Sequence, residues 1–218
     1  MEQTLRTVGV LDKSFSILTA VADGPRSLGE LTGTTGLSRA TAHRLAVALE
    51  AHGMLRRLDD GRFALGLHLV ALGRTAAEQF PLAAAARPAM VELRDATGES
   101  VQLYVRDGDS RVCVAALESP HGLRTIVPVG AALPMDVGSA GRVLSSDGEG
   151  DGLGWVQTVG EREPGVASVS APVRDRADEV VAAISVSGPI DRMGRTPGRA
   201  HGNAVLSAAA RVESALSA

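Results

Sequence analysis

The sequence predicts an α+β protein in two parts: a small N-terminal unit of three helices and a hairpin, then a connecting helix and a C-terminal unit with a mostly antiparallel sheet. Three observations predict it. Helical periodicities punctuated by Gly24-Pro25, Gly36 and Gly53 come first. Two short runs flanking Asp59-Asp60-Gly61 follow. From Val101 onward, alternating or continuous apolar runs of strand length dominate, and they are separated by turn-forming residues.

Leu11, Phe15, Leu18 and Val21 fall close to helical spacing, and Gly24-Pro25 stops that helix. Ser27-Leu28-Gly29-Glu30 is a capping-box pattern, so a second helix begins there; it ends near Gly36, which suits a left-handed cap. Ser38 caps a third helix running through Arg39, Thr41, Arg44, Leu45, Val47, Leu49 and Glu50 to Gly53, with Leu45 and Leu49 facing inward. Met54 to Leu58 and Arg62 to Leu65 form a hairpin across the Asp-Gly turn. Three helices and a hairpin in this order make a winged helix-turn-helix, with Thr35-Gly36-Leu37-Ser38 as its turn.

Leu67 to Phe80 is again helical, and Pro81 interrupts it. Leu82 to Thr97 forms the next helix, closed by Gly98, with Pro88 expected to kink or divide it. Strands are expected over Val101–Arg106, Val112–Leu117, Leu123–Val129, Val166–Val173 and Val180–Ser187, and another starts near Trp155. Asp107-Gly108-Asp109 and Asp175 to Asp178 supply turns, and Asn203 to Leu216 is an amphipathic helix on Val205, Leu206, Ala209, Val212 and Leu216. Domain boundaries therefore fall at 1–66, 67–81 for the linker helix, and 82–218. Ser145 to Gly154, a run of glycines and acids, is expected to be a loose loop. Its alternating carboxylates would repel a phosphate.

At 218 residues, with 44% hydrophobic and 22% charged residues, the chain buries a core without staples and is not disordered. The single cysteine, Cys113, excludes a disulfide scaffold and a multi-cysteine zinc site, and suits a reducing compartment. No apolar run approaches the roughly 18 residues of a membrane span, and MEQTLRTVGVLDKSF lacks the order of a secretory leader. A cytoplasmic protein with no membrane partner is expected. The net charge of −3 hides segregation, since residues 1–75 carry +2 and the remainder −5. The basic end is the candidate for phosphate contact.

Ser38, Arg39, Thr41, His43 and Arg44 lie at or near the start of the third helix, where a recognition helix reaches bases and phosphates. Arginine grips guanine through two hydrogen bonds, whereas serine and threonine hold phosphates. Ser27 and the hairpin arginines Arg56, Arg57 and Arg62 complete the expected DNA-facing set, set against a reading of all these residues as a solvated polar surface. In the second unit, Gly138-Ser139-Ala140-Gly141 allows close backbone approach at a helix start, with N–H groups available to a carboxylate. Leu133 and Met135 are candidate apolar walls there. The five histidines show no metal-binding spacing, and no nucleophile elbow or catalytic cysteine context occurs, so neither a metal, a cofactor nor an enzymatic activity is expected.

Several segments resemble one family. Val10-Leu11-Asp12-Lys13-Ser14, Thr35 to Leu45 and Gly61-Arg62-Phe63-Ala64-Leu65-Gly66 look like the DNA-binding half of IclR-type bacterial transcriptional regulators. Asp95 to Ser100, Leu133-Pro134 with Gly138 to Gly141, and Ala171-Pro172-Val173 before Ser185 to Pro189 look like the second half. The resemblance implies a GAF-like effector-binding domain, a homodimer or tetramer, and ligand-controlled binding to palindromic double-stranded operator DNA. It also implies effector contacts at Leu133, Met135, Gly138, Ser139, Ala140, Glu161, Ser168 and Ser170, with a small carboxylate or amino-acid-like effector. Gly160 to Val173 is similar to actinobacterial regulators of leucine and related amino-acid biosynthesis. Family members carry a longer, partly helical segment where this chain has the 145–154 run. This leaves open a constitutive DNA-binding protein with a shortened pocket, and, as a third reading, a small-metabolite enzyme.

Overall fold

The computed structural model describes residues 9–145 and 152–217. It divides into two compact units, 1–79 and 80–218. The expected loop at 145–154 lies largely outside the described residues.

The N-terminal unit contains α1 (Gly9–Ala22), α2 (Leu28–Thr35), α3 (Arg39–Ala51), β1 (Leu55–Arg57), β2 (Phe63–Leu65) and α4 (Leu67–Glu78). The capping box at α2 is formed in both directions: the Ser27 hydroxyl accepts the Glu30 N–H at 3.3 Å, and Glu30 accepts the Ser27 N–H at 2.7 Å. Gly36 closes α2 at φ 67°, a conformation in which a Cβ would be strained. Ile17, Val21, Leu31, Leu55 and Phe63 form the core, with Leu45 and Leu49 of α3 packed against it beside the fully buried Ala46. The hairpin pairs Arg56 with Ala64 and Arg57 with Phe63. Arg26 adds a third extended segment, exchanging backbone hydrogen bonds with Phe63. Leu11 and Phe15, although on helical spacing, are 54% and 65% exposed.

The C-terminal unit begins with α5 (Pro81–Thr97), followed by β3 (Ser100–Asp107), β4 (Ser110–Leu117), β5 (Ala132–Pro134) and α6 (Ser139–Ser145). After these come β6 (Val156–Val159), β7 (Val166–Arg174), β8 (Val180–Pro189), α7 (Ile190–Met193) and α8 (Pro197–Ser217). One antiparallel sheet runs β5-β4-β3-β8-β7-β6. Alternation sorts its side chains. Val101, Leu103, Val169, Val173, Ile184 and Val186 face α5 and α8, whereas Tyr104, Cys113 and Ala183 face α6.

Three expectations need correction. Leu123–Val129 is not a strand: only Thr125 and Val127 turn inward, Pro128 removes a donor, and Ala132–Pro134 is the segment that ladders onto β4 instead. Pro88 does not divide α5, which stays one 17-residue helix; Pro88 and Ala84 lie on its exposed side, where water can serve the Ala84 carbonyl that loses its donor. The last helix starts at Pro197, before Asn203, because Gly198 and Gly202 admit the ring of Trp155 against the helix backbone. No described helix is long and apolar enough to cross a membrane.

Candidate functional site

The N-terminal unit presents one end and one face of α3 to solvent. Ser38 caps the helix, accepting the Thr41 N–H at 3.3 Å and donating to the Thr41 hydroxyl at 2.9 Å. The two hydroxyls are thereby positioned beside the helix start, each with acceptor capacity left over. Arg39, His43 and Arg44 are exposed, together with Ala40 and Val47, while Ala42 and Ala46 are buried on the opposite side. The sequence reading did not single out Ala40 or Val47 for this face; their methyl groups suit thymine contacts.

The remaining expected residues divide. Ser27 is committed to the α2 cap. Arg57 lies over the Phe63 ring at 4.4 Å and 3.3 Å from Glu50, and Arg62 pairs with Asp60 at 2.7 Å. Hydrogen bonds from the Arg62 backbone and side chain hold the Asp60 carboxyl below its ordinary range. Arg56 is exposed and, by strand alternation, points away from the Arg57 side of β1. Exposed pairs such as Arg62–Asp60 contribute little to stability, so phosphate can replace the carboxylate.

The C-terminal unit encloses a polar cavity on the α6 side of the sheet. Its floor comes from the second side-chain set of each strand: Gln102 and Tyr104 of β3, Ser185 and Ser187 of β8, Ser168 of β7 and Thr158 of β6. Arg111 of β4, Arg162, and Gly138, Ser139 and Ala140 at the start of α6 complete most of the lining. The free space at its centre is about 20 Å³, room for one water-sized group.

A hydroxyl network spans this floor. The Ser139 hydroxyl lies 2.7 Å from those of Ser168 and Ser170, Thr158 is 3.0 Å from Ser168, and Ser170 donates to Ser185 at 2.9 Å. Four of the eight residues expected to contact an effector therefore line the cavity: Gly138, Ser139, Ala140 and Ser168. Ser170 sits behind them in the network. Leu133 and Met135 pack instead with the apolar cluster of Cys113, Val143 and Leu144.

Two of the N–H groups expected to be free at the helix start have acceptors within the protein. The Gly138 N–H donates to Glu161 at 3.2 Å, and the Ser139 N–H donates to the Thr158 hydroxyl at 3.1 Å. Glu161 also pairs with Arg142 at 2.5 Å, so this carboxylate serves the α6 start rather than the cavity. The small residues there have a steric cause: a Cβ at Gly141 would meet the Met135 carbonyl and stand 2.7 Å from Arg111 Nη1.

Sequence reasoning missed Arg111, Gln102, Tyr104, Thr158, Arg162, Ser185 and Ser187. A signal existed in Ile184-Ser185-Val186-Ser187, where hydroxyls alternate with core residues, and in Arg111 opening an otherwise apolar run. Burial lowers the Arg111 guanidinium from its ordinary range and raises the Tyr104 phenol; Cys113 is pushed up to about 11 for the same reason.

Comparison with known proteins covers both units. The model of the IclR helix-turn-helix domain matches residues 10–59. The model of the bacterial transcriptional regulator IclR C-terminal region matches in two pieces, 74–153 and 150–214, which meet in the glycine- and acid-rich run. The glycerol operon regulatory protein of Streptomyces griseus is 29% identical over 86% of this chain and 87% of its own length. That alignment extends over 222 positions, more than this chain contains, so the relative carries residues without counterparts here. The fold is similar to that of the Thermotoga maritima IclR, with TM-score 0.77 and 21% identity over 97% of this chain and 100% of the other. It is also similar to an IclR homolog from Microbacterium hydrocarbonoxydans complexed with 4-hydroxybenzoate, with TM-score 0.82 and 19% identity over 95% and 99% of the two chains.

Proposed function

Because the chain belongs to the IclR family of DNA-binding bacterial transcriptional regulators, we propose that it is a ligand-responsive member acting in the cytoplasm. It binds a palindromic operator as a dimer or tetramer, and a small carboxylate in the C-terminal cavity changes its affinity for that operator. The observation that carries this reading is the exposed Arg39, His43 and Arg44 face of α3, capped by Ser38 and backed by the buried Ala42 and Ala46.

Two reading heads are argued from surface chemistry. Helix α4 has no buried residue among those described, yet it carries Leu67, Val70 and Leu72 at 76%, 69% and 46% exposure. An isolated helix of this length with apolar side chains in water is marginal, so a second copy is the occupant that stabilises it. In this reading residues 67–81 are the linker between the 1–66 and 82–218 domains. Two symmetric heads match a palindrome and multiply specificity.

The amino-acid, leucine-type target expected from Gly160 to Val173 has no support in the relatives' names, the first of which concerns a glycerol operon. The hydroxyl-rich floor favours a short, oxygen-rich acid over a branched apolar side chain. The solved homolog that carries 4-hydroxybenzoate supports carboxylate recognition in the family without assigning that ligand here. Operator binding by the full chain, using the DNA upstream of its own gene with and without short carboxylates, tests the reading. Sedimentation tests the dimer: a monomer that footprints one half-site at full affinity contradicts it.

A further inference from the structure

Arg111 is 2% exposed, and its Nε is buried without a hydrogen-bond partner. It donates a hydrogen bond from Nη1 to the Pro134 carbonyl and lies over the Tyr104 ring, 5.5 Å from the guanidinium carbon, while the Asp136 carboxylate acts on it only through space. No carboxylate pairs with it among the described residues. Buried donors are rarely left unmade, and buried cations are rarely left unpaired. A second arginine, Arg162, lines the same cavity; its guanidinium stands 3.4 Å from Glu163, whose side chain is 59% exposed. Gly138 is close to both residues, since a Cβ built there would be 3.3 Å from Arg111 Nη2 and 3.8 Å from Arg162 Cβ. The cavity lining thus includes two arginines and no carboxylate, and of the two only Arg162 has an ion-pair partner among the described residues, outside the lining.

We propose that Arg111 is the receptor for the anionic group of the effector, with Arg162 as its auxiliary charge, and that the site selects a short carboxylate bearing a further oxygen. The proposal rests on the reading of this cavity as the effector site. A guanidinium fork matches a carboxylate through parallel N–H donors, and the pairing strengthens where water is excluded. The hydroxyls of Ser139, Thr158 and Ser168 supply partners for a hydroxyl or keto oxygen beside that carboxylate. The free space of about 20 Å³ holds one water-sized group, so even a short acid must push the serine and threonine side chains of the floor apart, and a long or aromatic tail is disfavoured further.

The test is calorimetry and thermal shift on the DNA-free full chain with sodium glycolate, sodium malonate, glycolamide and inorganic phosphate. Glycolate or malonate should bind and raise the melting temperature, while glycolamide, which lacks the charge, should do neither. Arg111→Gln should lose at least tenfold in affinity for the acid. Without ligand it should melt no earlier than wild type, because it removes a buried unpaired charge. Arg162→Gln, at a partly exposed loop position, should fold normally and weaken the acid severalfold.

Several results would overturn the assignment: failure of both acids to bind wild type, equal binding by glycolamide, or full affinity in Arg111→Gln. Early unfolding of ligand-free Arg111→Gln would make the residue a structural tie to Pro134 instead. Binding of phosphate alone would replace the carboxylate with another anion and contradict the class named here. Acid binding through Arg111 with unchanged operator affinity would defeat the regulatory reading and leave this assignment standing. Operator affinity that responds to acid equally in wild type and Arg111→Gln would do the reverse.

Discussion

Glu161 accepts the N–H of Gly138 at 3.2 Å, so a side chain of the protein itself meets one backbone donor at the start of α6. With Arg142 at 2.5 Å, it ties the β6–β7 turn to that helix.

Glu161→Ala should therefore cost stability rather than ligand recognition. A loss of about 1 kcal/mol in denaturant unfolding is expected for one partly exposed ion pair and one backbone hydrogen bond. Affinity for a short acid should change by no more than about twofold, because the residue lies outside the cavity lining. An affinity loss of tenfold or more with unchanged stability would return Glu161 to the ligand site.

Arg39→Ala and Arg44→Ala should each weaken operator binding without shifting the melting temperature, since both side chains are exposed. Loss of a phosphate contact should weaken all sequences alike and reduce the salt slope by about one; loss of a base contact should cost about 1–3 kcal/mol and relax specificity. Arg62→Ala should do less than either, because a phosphate must first displace the Asp60 carboxylate, 2.7 Å from Arg62. Salt-titrated binding of the three variants orders these contributions, and equal affinity for all three removes α3 as the recognition element.

Gly202 sits inside α8, where alanine would ordinarily be preferred by about 1 kcal/mol. Here a Cβ would stand 2.5 Å from Trp155 Nε1 and 2.7 Å from Cε2. The steric term outweighs propensity, and Gly202→Ala should destabilise the chain by about 1–3 kcal/mol. Indole fluorescence should report the displaced ring, since the protein has a single tryptophan. An increase in thermal stability would show that α8 and Trp155 are not packed as described.

His201 is half-buried, and burial pushes its imidazole below the ordinary value of 6.5, although the Glu99 carboxylate pulls the other way. As pH falls below about 6.5 the unfolded chain takes up this proton before the folded one does, so stability declines. Its contribution is fully present above that pH. His201→Gln should flatten the pH dependence of unfolding between pH 7 and 5, roughly the window set by an ordinary histidine. An unchanged slope would assign the acid sensitivity to other groups.

What the sequence made legible was local. Ser27 with Glu30, Ser38 before α3, and Asp-Gly at two hairpins each encode their structure within a few residues, and the capping and turn geometries follow. The cavity is non-local: Ser139 meets Ser168 and Ser170 across some thirty residues, and Arg111 reaches the Pro134 carbonyl. Gly138, Ser139 and Ala140 line the cavity, and packing supplies a second reason for small residues there. Small residues there make room for Arg111 and the Met135 carbonyl, and the backbone donors of Gly138 and Ser139 are already spoken for. Leu123 to Val129 misled because apolar composition alone does not show that Pro128 and an outward Ile126 keep a segment out of the ladder.

The central claim is that ligand occupancy of the C-terminal cavity and DNA occupancy of α3 are coupled. The most direct measurement is the operator affinity of the full chain at fixed salt, titrated with a short carboxylate that calorimetry shows to bind. Coupling of ordinary strength predicts a change of about 5- to 150-fold in operator affinity, with the same factor appearing in the acid's affinity when operator is present. Operator affinity that stays constant while the cavity fills would contradict the account and leave a DNA-binding protein whose effector cavity no longer controls it.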